Sequence, residues 1–222
     1  MNPVPKVIVF DFDGVLADTA ADMLGFSQQA CAELGYPCQP TLADLDALDP
    51  MSFDMLGRHL GLPEVLIPEY KRLTLERFAS RPEPPEIFPG MAQVVRRAAA
   101  LGRAGIVTGN HARLVARFLE RNGLQDCIAG VIDVAEPGTR AEKILRLAGA
   151  IGAPGSQVFV IGDSVSDVRA AREIGARSIA VTWGHQSAAR LLALAPDHLV
   201  ASPTEILEAI SNISQFPLRQ VK

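Results

Sequence analysis

Six short apolar runs recur along the chain: KVIVF (6–10), RAGIVT (103–108), AGVIDV (129–134), QVFVIGD (157–163), RSIAVTW (177–183) and DHLV (197–200). Segments with helical periodicity separate them, and this alternation leaves few folds open. Parallel strands need crossover connections, which helices supply with a right-handed sense. The runs are apolar on both faces rather than alternating, as in strands covered by helices above and below. The expected class is α/β, a three-layer fold around a parallel sheet. Local marks agree: Asn110 or a neighbour is a cap for ARLVARFLERN, which stops at Gly123. Asp167 is a cap for VRAAREI, which stops at Gly175. Ser202, Pro203 and Glu205 read as N-cap, N1 and N3 of a last helix.

One connection is anomalous. About eighty residues separate the first two strands, far more than a crossover of short loops and one helix requires. An insert is predicted over residues 17–84, with helices in TAADMLGFSQQACAEL, LADLDAL, MSFDMLGRHL and EYKRLTLERFAS. RPEPPEIFPG, with four prolines in ten residues, is the stiff return linker. The main domain is then 1–16 together with 85–222.

With 222 residues the chain can bury a substantial core. Its 21 basic and 25 acidic residues give a net charge of −4 without a sustained basic run, so nucleic acid is not an expected partner. The N-terminal apolar run is too short for a signal peptide or membrane span, and a cytoplasmic protein is expected. Cys31, Cys38 and Cys127 are odd in number and lack CxxC spacing, so neither disulfides nor a zinc site is predicted.

Chemistry concentrates at the strand ends, where open α/β sheets place ligands. Asp11 and Asp13 are two residues apart, so both project to one side if the strand continues through them. Carboxylates this close repel one another unless a cation lies between them. Gly14 then permits a turn or the close approach of a ligand. Thr108, Gly109 and Asn110 combine a hydroxyl with backbone N–H groups at a helix start, which suits a phosphate as well as a plain capping turn. Asp163 follows a glycine at another strand end, and Asp167 fits a helix cap as well as a ligand. Such an oxygen-rich set suits Mg²⁺.

DFDGVLADT, IVTGN and IGDSVSD, in this order and setting, are similar to the first, second and fourth motifs of the haloacid dehalogenase superfamily. The chain resembles its phosphoglycolate phosphatase-like branch, and RSIAVTWGHQ and PDHLVASPTEILEAI look like that branch too. The resemblance implies a Rossmann-like core with a helical, C1-type cap formed by the insert. It implies that Asp11 attacks phosphorus to form an aspartyl-phosphate, while Asp13 first protonates the leaving group and then activates water. Mg²⁺ is implied at Asp11, the backbone carbonyl of Asp13 and Asp163, with Asp167 close by. Thr108 and the amides near Gly14, Gly109 and Asn110 are implied to hold phosphoryl oxygens.

The third motif of the family supplies a lysine, and here the match is imperfect. Spacing from Asp163 points to Arg140, whereas the lysine in PGTRAEKILRL is Lys143. Three residues apart on a helix, both could face one way. Chemistry favours Lys143, because a guanidinium fork is not a compact ammonium; Arg140 is the rival. The implied activity is Mg²⁺-dependent hydrolysis of a small phosphomonoester, with a phosphorylated metabolite as partner and a monomer or homodimer as the assembly. A phosphomutase or a catalytically quiet phosphoester-binding module are the alternatives. In the cap, Arg58, His59, Lys71 and Arg72 are candidate anion contacts, none favoured singly. His111, Trp183 and His185 are expected to serve in helix, packing and loop.

Overall fold

The computed structural model describes residues 4–153 and 155–211. The predicted last helix, SPTEILEAI, lies within them. In chain order the elements begin with β1 (Lys6–Phe10), the short β2 (Ala17–Asp18), and four helices, α1 (Ala20–Glu33), α2 (Leu42–Ala47), α3 (Phe53–His59) and α4 (Ile67–Ser80). Then come β3 (Glu86–Ile87), α5 (Met91–Leu101), β4 (Arg103–Val107), α6 (Ala112–Asn122), β5 (Ile128–Ile132) and α7 (Arg140–Ile151). The chain continues through β6 (Gln157–Gly162), α8 (Val165–Glu173), β7 (Arg177–Val181), α9 (Ala188–Leu192), β8 (His198–Val200) and α10 (Pro203–Ser211).

All six predicted apolar runs pair into one parallel sheet of order β5-β4-β1-β6-β7-β8. From β1 the chain builds outward first through β4 and β5, then returns to the other side of β1 with β6. The order reverses there, and this switch point leaves a crevice beyond the carboxyl ends of β1, β4 and β6. The sheet is covered on both faces. Val7 and Val9 of β1 pack with Ile144 and Leu147 of α7 and Ala170 and Ala171 of α8. Ile8 and Phe10 point the other way, into a core shared with α5, α6 and α10 through Val95, Phe118 and Ile210.

The helices α1–α4 all lie between β2 and β3, and those two short strands pair antiparallel, Ala17 with Ile87 and Asp18 with Glu86. The proline-rich return segment is therefore partly a strand that runs beside the outgoing chain. Within the helical layer, Phe53, Tyr70 and Phe78 are buried, and the Tyr70 hydroxyl donates to Ser27 Oγ at 2.8 Å.

The cysteine expectation is corrected here. Cys31 and Cys38 form a disulfide, with their Cα atoms 5.9 Å apart, and Cys127 is free. The chain reverses after α1 at Gly35, whose φ is +76°, and Tyr36 N–H donates to the Cys31 carbonyl at 2.9 Å. That reversal brings the Cα atoms within bridging range, which linear spacing does not reveal. None of the described helices is long and apolar enough to cross a membrane.

Candidate active site

Asp11 continues the parity of Val7 and Val9, so it leaves β1 on the face covered by α7 and α8. Its backbone N–H still bonds the Ile161 carbonyl of β6 at 2.8 Å, and its own Oδ1 accepts the Phe12 N–H at 2.7 Å. The first turns of α7 and α8 therefore face it. Arg140 Nη2 lies 2.9 Å from Asp11 Oδ2, and Arg140 Nε forms an ion pair with Asp167 Oδ1.

The preference for Lys143 is not what this geometry supports. Thr139 and Glu142 form a capping box that makes Arg140 the first residue of α7. That helix starts at the carboxyl edge of the sheet and runs back along it. Lys143, three residues on, sits about 4.5 Å further from the edge. Its Nζ donates to the Asp133 carbonyl at 2.8 Å instead. Spacing from Asp163 had pointed to Arg140, and the T-R-A-E pattern is a capping box that fixes it at the helix start.

Asp167 is likewise not the cap of α8. Ser164 is the cap, and Asp167 is the N3 partner that accepts from Ser164 N at 3.1 Å and Oγ at 2.6 Å. One carboxylate oxygen thus organises the helix start while the other meets Arg140. For α6, expected to be capped by Asn110 or a neighbour, the neighbour His111 holds the cap position without a side-chain bond. Asn110 instead turns its Nδ2 onto both Asp13 oxygens, at 2.9 and 2.8 Å. Thr108 is buried, and its Oγ1 accepts the Asn110 N–H at 2.9 Å.

Asp163 is buried, and its Oδ2 accepts the His185 backbone N–H at 2.7 Å and lies 2.9 Å from His185 Nδ1. His185 is therefore part of the site rather than an ordinary loop residue. The glycine before it gave a hint, since a Cβ on Gly184 would stand 2.3 Å from Asp163 Cβ. Gly14 is under the same pressure: its φ is +74° and a Cβ there would fall 2.0 Å from Asp163 Oδ2. Trp183 stays in its packing role, with Nε1 3.4 Å from the Val15 carbonyl.

The electrostatics follow from so much charge in so little water. Burial, with help from Asp167, Asp163 and Asp13, pushes the Asp11 carboxyl up to about 8, even though Arg140 pulls the other way. Burial also raises Asp13, against the pull of His185 and the hydrogen bonds of Asn110 and Thr19. For His185 burial opposes the charged ring, but Asp163, Asp13 and Asp11 outweigh it and lift the imidazole to about 9. A cluster that holds protons this tightly lacks positive charge. Asp11, Asp163 and Asp167 can each offer an oxygen within 4.8 Å of the others, an all-carboxylate set that fits a hard divalent cation such as Mg²⁺.

Asp11, Asp13, Gly109, Arg140, Asp163 and His185 line one cavity of about 130 Å³. Its far wall comes from the helical layer, including Met23, Met51, Phe53, Asp54 and Lys71. The layer is tied down beside the site. Gln186 accepts the Val165 N–H at 2.7 Å and donates to the Leu48 carbonyl at 2.7 Å, and Met51 N–H donates to Ser166 Oγ at 3.2 Å. Of the four cap cations that the sequence offered, Lys71 lies on this wall; Met23, Met51, Phe53 and Asp54 were not legible, because no local pattern says which side of a helical insert meets the core.

The haloacid dehalogenase-like hydrolase family matches residues 8–181. The chain belongs to that family. A phosphoglycolate phosphatase of Xanthomonas campestris pv. campestris is 33% identical over 193 residues, which cover 82% of this chain and 85% of the relative. A phosphoglycolate phosphatase of Synechococcus elongatus is 26% identical over 211 residues, covering 94% and 98%. Among solved structures, a haloacid dehalogenase-like hydrolase from Streptococcus pneumoniae superposes with a TM-score of 0.80 at 20% identity, covering 93% of this chain and 99% of the other. At that identity the likeness speaks for the fold alone.

Proposed function

We propose that this hydrolase is a Mg²⁺-dependent phosphatase that cleaves a small phosphomonoester through an aspartyl-phosphate on Asp11. The observation that carries the reading is the convergence of Asp11, Asp13, Asp163 and Arg140 on one cavity at the switch point of the sheet. Its volume of about 130 Å³ has room for a small ester. The names of the curated relatives support phosphoglycolate as the first ester to try.

In this reading an Asp11 oxygen attacks phosphorus and the bond from phosphorus to the alcohol oxygen breaks. Asp13 gives its proton to the departing oxygen. Burial raises its pKa, which favours the protonated form, and the two Asn110 contacts hold the carboxyl in place. Asp13, now a carboxylate, then takes a proton from water as the water attacks phosphorus, and Asp11 is released with inorganic phosphate. Arg140 holds Asp11 and offsets charge beside it. Asp11, Asp163 and the Asp13 carbonyl would hold Mg²⁺, with Asp167 beside them; when bound it supplies neutralisation of the phosphoryl charge. The helical layer of residues 17–84 acts as the cap that excludes water. A cytoplasmic setting belongs to the same proposal, since charge retains small phosphate esters inside a membrane.

The test is release of phosphate from p-nitrophenyl phosphate and 2-phosphoglycolate by purified protein, with Mg²⁺ or with EDTA. Turnover is expected with Mg²⁺ and is lost in Asp11→Asn. Undiminished metal-dependent turnover by that variant overturns the nucleophile assignment.

A further inference from the structure

We propose that Gln186 is a positioning residue that fastens the helical layer to the core beside the acids, and so sets how tightly an ester is enclosed. The inference rests on the phosphatase reading above and concerns a side chain that touches neither substrate nor the reacting atoms. Gln186 lies in the loop between β7 and α9 and is 1% exposed. Its one amide serves backbone groups from two distant segments. Oε1 accepts the Val165 N–H at 2.7 Å, while Nε2 donates to the Leu48 carbonyl at 2.7 Å and the Asp46 carbonyl at 3.1 Å. Val165 is the first residue of α8, and its N–H is one of those that a helix start leaves without a partner inside the helix. Ser164 before it lines the cavity, as do Met51, Ser52, Phe53 and Asp54, which follow Leu48 closely in the chain. The amide therefore fixes the spacing between the cap wall and the edge of the core that carries Asp163 and Asp167.

Neighbouring bonds hold the same segment of the cap. Ser187 N–H donates to Asp46 Oδ1 at 2.6 Å, Arg190 Nη2 donates to the Ala47 and Leu48 carbonyls at 3.1 Å, and Met51 N–H donates to Ser166 Oγ at 3.2 Å. Arg169 and Asp49 pair at 2.6 Å, but this pair is open to solvent and contributes little. The chain enters and leaves the helical layer at β2 and β3, so the fastening at residues 46–51 is a second attachment, made of bonds that can break and re-form. Gln186 is the buried member of the set. Without its amide the Val165 N–H loses its acceptor and the Leu48 carbonyl keeps Arg190 alone, a loss that solvent does not make good. Glutamate keeps the acceptor for Val165 but has no donor for the two carbonyls, and methionine has neither. A looser wall lowers the fraction of molecules whose cavity is closed, and the apparent affinity for an ester that reaches the wall falls by that fraction. Inorganic phosphate has no alcohol portion to reach the wall, so its affinity should not follow.

The experiment compares wild type with Gln186→Met. It reads kcat and KM for whichever of the two esters above wild type turns over better, the inhibition constant of inorganic phosphate, and hydrogen exchange of the metal-free, substrate-free protein. In Gln186→Met, KM is expected to rise about tenfold, with kcat and the phosphate inhibition constant within about threefold of wild type. Amides of residues 46–53 should exchange about tenfold faster or more, while those of β1 keep their wild-type rate. An unchanged KM overturns the proposal, and so does unchanged exchange at 46–53. A phosphate inhibition constant that rises in step with KM overturns it too, as does a fall in kcat at constant KM, because either places the effect in the core. All four results leave the phosphatase reading standing. Failure of wild type to hydrolyse either ester overturns that reading and this proposal with it. Thermal melting shows whether the fold is kept; if Gln186→Met does not fold, Gln186→Glu is read by the same criteria.

Discussion

Removing the guanidinium of Arg140 separates two assignments that the sequence left close together. In Arg140→Met, Asp11 loses a partner at 2.9 Å and Asp167 loses its ion pair, while three carboxyl groups stay within 4.8 Å of one another. Two charges at 4.8 Å repel by about 3 kcal/mol at an effective dielectric of 20. Breaking a buried ion pair costs a similar ~3–5 kcal/mol, and the partial exposure of Arg140 places the expected loss near the lower end. Lys143→Met breaks one bond to a backbone carbonyl and should cost about 1 kcal/mol. In a chain of this size the two losses correspond to melting shifts of roughly 6–12 °C and 2–4 °C. The Arg140 deficit should also depend on pH. At pH 6 Asp11 is protonated in the native metal-free protein, with its carboxyl pushed up to about 8, so the share of the deficit that comes from its pairing with Arg140 is small there. At pH 9 it is ionised in the wild type and gains from the guanidinium, so the deficit is larger than at pH 6. Melting of both variants in EDTA at pH 6 and pH 9 reads these differences, and phosphatase assays should show kcat lower by about 100-fold or more in Arg140→Met. Equal melting shifts in the two variants, or an Arg140 deficit that ignores pH, would refute the reasoning.

Gly14→Ala forces a Cβ to 2.0 Å from Asp163 Oδ2 and 2.7 Å from His185 Nδ1, at a φ of +74°. The left-handed conformation alone costs about 1–2 kcal/mol, so the protein should still fold, whereas turnover should fall about 100-fold as Asp163 is displaced. Retained activity, measured beside a melting curve, counts against the close packing of that loop. Metal removal should expose the proton balance of the site. Native Asp11 binds a proton between the ordinary carboxylate value of 3.8 and about 8, and native His185 between 6.5 and about 9, where the unfolded chain does not. The native state therefore holds more protons across pH 6–9, and stability must fall as pH rises through that window. In EDTA the melting temperature should drop from pH 6 to pH 9, and Mg²⁺ should raise it more at pH 9. Calorimetry in buffers of different ionisation enthalpy should detect proton release on Mg²⁺ binding; a melting temperature that climbs with pH contradicts the assignment.

The six strands, the helices of the insert and the acids at the strand ends were all legible in the sequence. Each rests on a period or a cap that a few neighbouring residues encode, as in KVIVF before Asp11 or Ser202, Pro203 and Glu205 at the start of α10. Asp11 itself follows from the parity of Val7 and Val9. Other features depend on where distant segments meet. The disulfide of Cys31 with Cys38 needed a reversal at Gly35, and His185 reached Asp163 only through the loop after β7. Lys71 was one of four equivalent cap cations until the packing of α3 and α4 put it alone on the cavity wall.

Arg140 lies between these cases. Its helix position was written locally, but its meeting with Asp11 and Asp167 required that α7 and α8 begin together at the carboxyl edge of β1 and β6. The sequence by itself determined the alternating α/β architecture, the insert and the acids that do the chemistry, because periodicity and capping act over a few residues. Only the tertiary structure decided which cation faces the nucleophile and which residues close the cavity, because strand order and helix direction set those distances between segments that are far apart in the chain.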